Sequence, residues 1–156
     1  MRIIEIIHLI RGGMVGCAVA ACLCRPVGLS AAAAIPPLPE ASGTALQAAA
    51  AKVQDDPARP EFHLLPPANW MNDPNGPIFH NGWYHMFYQH NPYGDAWGHM
   101  HWGHFRSRDL VQWEHLPIAL WPSTEAGEEH VFSGAAAVNG AGEPMLFYTS
   151  IKQGKS

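Results

Sequence analysis

Ile78-Phe79-His80-Asn81-Gly82-Trp83-Tyr84-His85-Met86-Phe87-Tyr88-Gln89 is the stretch whose reading decides the fold. Asn and Gly both tolerate positive φ. An Asn-Gly pair between β-forming residues is therefore the strongest short signal for a two-residue hairpin turn. The flanks are rich in aromatic residues, which suit a pleated, half-buried surface. The pattern predicts two antiparallel strands joined at Asn81-Gly82.

The same theme continues downstream. His90 to Met100 contains Pro92, Gly94 and Gly98 and reads as a loop. His101 to Ser107 is predicted as a third strand, Arg108-Asp109 as a turn, and Leu110 to Leu116 as a fourth strand. A second group follows, with strands over Val131 to Val138 and Met145 to Ser150 around the turn region Asn139-Gly140-Ala141-Gly142. No convincing long helix occurs after residue 60. Four short strands and then a repeat of the hairpin theme predict an all-β fold of successive β-propeller blades, each ~40–50 residues long. Residues 61–156 would hold about two blades, whereas a closed propeller needs ~4–8. A small sandwich is the alternative, and an awkward one with an unpaired final hairpin. The expectation is an incomplete ring.

Upstream the composition changes. The chain has 156 residues, 14% charged, with a formal net charge of −4. All 16 aromatics lie at or after Phe62, and nine of the ten histidines at or after His63. A core is therefore expected only in 61–156. That part is net acidic, so no basic face for nucleic acid is implied. Residues 1–34 carry Arg2 and Arg11, a small apolar run from Gly12 to Leu23, and small residues up to Ala34. This is the order of a secretory signal peptide, with cleavage expected within Ala31–Ala34 and export as the destination. Val19-Ala20-Ala21-Cys22 also fits a lipoprotein box, which would anchor the chain to a membrane at Cys22. Cys17, Cys22 and Cys24 all sit in this leader, so a chain cut at Ala31–Ala34 has no disulfide and no thiolate metal site. Residues 35–60, rich in Pro and Ala, read as a disordered linker, although Ala45 to Val53 has helical propensity.

The most unusual string is Trp70-Met71-Asn72-Asp73-Pro74-Asn75-Gly76. Asp-Pro-Asn-Gly fits a type I turn, and Asp73 as a plain turn carboxylate is the bland interpretation. The same geometry suits catalysis. Pro74 drives Asp73 out of the helical region and so fixes the direction of its carboxylate. Asn72 and Asn75 can hold a carboxylate or sugar hydroxyls, and Trp70 and Met71 are apolar walls. A rigid ionised carboxylate in such company suits a glycosidase nucleophile. Gln89 can donate to and accept from sugar hydroxyls. Trp97 offers a flat face to a sugar ring. Ser133 precedes Gly134, where backbone can approach a ligand. His99, His101 and His104, with His115 and His130, form the rival metal-site candidate. No Cys or tight carboxylate cluster accompanies them, so packing and hydrogen bonding are expected instead, with no metal and no cofactor. Glu125, Glu128 and Glu129 fall in a loop and are expected to form a solvated face.

Four ordered motifs together resemble glycoside hydrolase family 32, the family of invertases, inulinases, levanases and related fructosyltransferases. They are the string around Asp73, then Tyr84 to Pro92, then Trp97 to His104 with Ser107, Asp109-Leu110 and Trp113, then Phe132-Ser133-Gly134. The resemblance implies a five-bladed β-propeller with the site at its central funnel, followed by a β-sandwich. It implies that Asp73 is the nucleophile, attacking a terminal β-fructofuranosyl unit to form a covalent fructosyl-enzyme that water releases with retention. It further implies that Asn72, Gln89, Trp97 and Ser133 line the fructose pocket, with Phe132 beside them.

Two departures lie beside that pocket: His99, where relatives commonly have Asn, and Ala135, where a second Ser is usual. The family's acid/base comes from a Glu-Cys motif and its transition-state stabiliser from an Arg-Asp-Pro motif. Neither tripeptide nor dipeptide occurs in these 156 residues. The expectation is an N-terminal portion of an exported β-fructofuranosidase-like enzyme, inactive by itself, with a small carbohydrate as its partner. A non-catalytic or degenerate sugar-binding module and a fructosyltransferase are the alternatives. Sucrose, inulin and levan stand as alternative substrates.

Overall fold

The computed structural model describes residues 2–5 and 40–152. Its strands are β1 (Arg2–Glu5), β2 (Trp70–His80), β3 (Trp83–Asn91), β4 (His101–Ser107), β5 (Trp113–Leu120), β6 (Glu128–Val138) and β7 (Pro144–Lys152). A helix, α1 (Glu40–Val53), precedes β2, and one 3-10 turn spans Thr124–Ala126. The strands form two antiparallel sheets, ordered β2-β3-β4-β5 and β1-β7-β6.

The hairpin that organises the first sheet lies where the Asn-Gly pair puts it. Asn81 and Gly82 have φ of 50° and 78°, and His80 pairs with Trp83. Two consecutive positive φ values match the strand twist, as a type I′ turn does. β3 then runs centrally between β2 and β4, so its buried/exposed alternation disappears from Phe87 to Asn91, all of which are buried.

The core lies between the two sheets. Phe87, Trp102, Ala119 and Leu120 from the first meet Val131, Leu146 and Tyr148 from the second. On another part of the first sheet, Tyr88 stacks on Phe105 at 4.7 Å, and its hydroxyl bonds His115 Nε2 at 2.8 Å.

Several expectations are corrected. Asp73 to Gly76 is not a type I turn but part of β2, whose register with β3 shifts between Asn72 and Pro74 and again between Asn75 and Ile78. Pro74 has no N–H to give a ladder, and bulged edge strands are where a sheet accommodates that. Asp73 does leave the right-handed helical region, but to a φ of 48°.

The fourth strand begins at Trp113 rather than Leu110. Asp109 Oδ1 accepts from Val111 N at 2.9 Å and Gln112 N at 2.8 Å, and Ser107 Oγ accepts from Leu110 N at 2.8 Å. These side chains satisfy the backbone locally and withdraw it from the ladder.

Residues 40–53, read as disordered spacer, form α1; its six alanines, Leu46, Gln47 and Lys52 supply the propensity. Within residues 1–34, Arg2–Glu5 pairs antiparallel with Met145 to Tyr148 along the outer edge of β7. An uncovered edge offers a row of N–H and C=O groups to any β-forming segment. The three cysteines and Ala31–Ala34 lie outside the described residues. Among the described residues no helix is long and apolar enough to cross a membrane.

Candidate active site

The site forms where β2 and β6 meet. Asp73 sits on the bulge of β2 with an exposed side chain. Ser133, on β6 sixty residues away, donates its hydroxyl to Asp73 Oδ2.

Asn75 braces this junction. Its Nδ2 donates to the backbone oxygen of Asp73 at 3.1 Å, and its Oδ1 accepts from Gly134 N at 3.3 Å. β6 has a register shift of its own between Phe132 and Gly134, opposite β7. Each strand is thus bulged at the residue it brings to the other. Bulges re-aim side chains in this way beside functional sites.

The other candidates surround the pair. Asn72 is half-buried, and its Oδ1 accepts from the Trp70 indole at 2.8 Å. Gln89 faces Asn72 across the β2–β3 ladder. It is 3% exposed, and its amide donates to Val131 O at 3.0 Å, tying β3 to β6. Trp97 stands 55% exposed on the loop between β3 and β4. Its ring is 6.3 Å from that of Phe132, nearly edge-on. Phe132 precedes Ser133 on β6, and its carbonyl accepts from the Trp102 indole at 3.3 Å. The structure therefore gathers Asn72, Asp73, Gln89, Phe132 and Ser133 onto three adjoining strands, with Trp97 at the rim. The arrangement presents one accessible carboxylate, oriented by a hydroxyl, beside an aromatic face.

Apart from His130, the histidines of the metal-site candidate go elsewhere. His101 packs edge-on against Tyr93 at 5.6 Å. His104 stacks on Phe87 at 4.4 Å and hydrogen-bonds His85 at 2.9 Å. Burial pushes the His101 and His85 imidazoles down to about 4, and His104 down to about 3. Among the described residues no three His, Cys, Asp or Glu side chains converge as metal ligands.

Two features escaped sequence reasoning. Glu128 is not part of a solvated face: it is 5% exposed, and its carboxylate accepts from Ser123 N at 2.8 Å and Tyr148 OH at 3.1 Å, and from Ser150 Oγ. His130 contacts both Trp97 and Phe132. Their decisive partners are distant in sequence: Glu128 meets Tyr148 and Ser150, 20 and 22 residues on, and His130 meets Trp97, 33 residues back.

This is the geometry of an open carboxylate site on propeller-type antiparallel sheets, and comparison with known proteins agrees with that class. The solved structures it resembles are five-bladed β-propeller enzymes. One is fructan 1-exohydrolase IIa from Cichorium intybus in complex with 1-kestose, at a TM-score of 0.54 and 47% identity over 59% of this chain and 18% of that one. Another is a Bombyx mori β-fructofuranosidase in complex with sucrose, at a TM-score of 0.54 and 43% identity over 65% and 22%. Levanase from Bacillus subtilis (strain 168) is 55% identical over 92 residues, 59% of this chain and 13% of that protein. Residues 63–156 match the glycosyl hydrolases family 32 N-terminal domain, and the chain belongs to that family. It spans less than a quarter of the length of each of these relatives.

Proposed function

We propose that the protein carrying these residues is an exported retaining glycosidase acting on terminal β-D-fructofuranosyl units of sucrose or fructans. Asp73 is the nucleophile: its carboxylate attacks the anomeric carbon, the glycosidic bond breaks as a general acid protonates the leaving oxygen, and water then displaces the enzyme carboxylate. Ser133 holds that carboxylate in its attacking orientation. Asn72 and Gln89 meet the sugar hydroxyls, while Trp97 and Phe132 supply apolar walls.

The observation that carries this reading is the Ser133–Asp73 hydrogen bond joining two bulged strands, in a chain of family 32. A turn carboxylate with no task would need no such cross-sheet partner. The sucrose and 1-kestose held by solved relatives favour the same substrate class. Export through residues 1–34 is part of the proposal, with lipid attachment at Cys22 as its variant form.

The test is Asp73→Asn in the protein carrying these residues, assayed on sucrose, inulin and levan. Loss of the nucleophile should lower kcat by at least about 10³-fold with the fold intact. Turnover near the wild-type rate on all three would sink the assignment.

A further inference from the structure

Trp97 is more than half exposed, so burial alone does not fix its ring. Its loop is instead held at both ends. On the β3 side Asn91 Nδ2 donates to Ala96 O at 2.8 Å, and Trp70 N donates to Gly94 O at 3.0 Å. On the far side Met100 N donates to His130 Nδ1 at 3.2 Å, and Val131 N donates to Met100 O at 3.0 Å. Between these ties Gly98 and His99 have φ of 154° and 45°, a path that tight anchoring must hold. The His130 ring also lies 5.5 Å from that of Trp97 and stacks on Phe132 at 5.6 Å and 26°. One imidazole thus touches both aromatic walls and accepts the backbone N–H at the end of the loop. Because Nδ1 accepts, the ring proton resides on Nε2.

We infer that His130 is a positioning residue that sets the spacing and tilt of Trp97 against Phe132, and so governs how tightly the fructosyl unit is held. The inference rests on the pocket roles proposed above. Two properties of the side chain are needed together: a flat ring against both walls and an acceptor at the Nδ1 position. Met100 is fully buried, so its N–H has no ready substitute partner if that acceptor goes.

Three variants separate these properties. His130→Phe keeps a ring and removes the acceptor, His130→Asn keeps an acceptor and removes the ring, and His130→Ala removes both. Each is assayed with sucrose in the protein carrying these residues, alongside its Tm. His130→Ala should raise KM by roughly tenfold with kcat within about threefold of wild type, the signature of lost uniform binding. His130→Phe and His130→Asn should each recover part of that loss. Unchanged KM in His130→Ala, or a lowered Tm with KM unmoved, would overturn the positioning role. So would wild-type KM in His130→Phe, because the acceptor would then be dispensable. Absence of sucrose, inulin and levan turnover by the wild type would instead bring down the proposed function itself, and the pocket role with it.

Discussion

Replacing Gly134 by alanine perturbs the fold and the site through one atom. A β-carbon there would lie 1.9 Å from the carbonyl oxygen of Phe147 and 2.9 Å from its carbonyl carbon, where real β-carbons stay beyond 3.0 Å. The obstacle is backbone on the paired strand, so no rotamer change relieves it. β6 and β7 must separate by more than 1 Å at the bulge, the gap between 1.9 and 3.0 Å. Overpacking of this kind costs about 1–3 kcal/mol, and the Gly134 N–H bond to Asn75 Oδ1, worth ~1 kcal/mol, is displaced with it. The sum is about 2–4 kcal/mol of stability. The site suffers further, because Ser133 is the preceding residue and its hydroxyl must still reach Asp73. A misplacement of ~1 Å at a catalytic group can cost about 10²-fold in rate. Thermal unfolding and kcat on sucrose, measured on the same preparation, check both parts. A variant with wild-type Tm and wild-type kcat would refute the reasoning, since it would mean the strands accept a β-carbon without moving.

Two further expectations concern stability. Burial holds the His85 and His101 imidazoles at about 4 and His104 at about 3, below the ordinary 6.5, so the folded protein keeps them neutral where the unfolded chain takes up protons. Stability should therefore fall as pH drops below about 6.5 and continue to fall toward pH 3–4, each such histidine costing about 2 kcal/mol at pH 5. Tm measured from pH 7 to pH 5 should decline, and a flat profile would show these imidazoles to be solvated. Glu128→Ala removes the acceptor for Ser123 N and Ser150 Oγ and should cost about 2–4 kcal/mol, with Glu128→Gln costing less than half as much because it retains a carbonyl oxygen. Equal Tm values for wild type and Glu128→Ala would contradict the buried role.

Reading by residue type was most reliable where structure is decided within a few positions. Asn81-Gly82 imposes its turn through its own backbone freedom, whatever the strands later pack against. His101 to Ser107 and Val131 to Val138 emerge as strands nearly as their composition suggests. The Ala-rich run at Ala45 to Val53 shows the limit of arguing from burial, because helical propensity acts without it. The boundary at Leu110 was misplaced because Ser107 and Asp109 capture the next amides, a competition that strand-forming side chains do not reveal.

Sequence by itself determined the all-β class, the first hairpin and the family of the chain, since these reside in local backbone preference and in ordered motifs. Only the tertiary structure decided that Asp73 lies on a bulge rather than a turn, that Ser133 bonds to it, that Glu128 is buried, and that His130 joins Trp97 to Phe132. The physical reason is the same in each case. A bulge, hydrogen bond or ring contact of this kind depends on the register of paired strands and on how the two sheets meet. A shift of one residue would send every side chain to the opposite face.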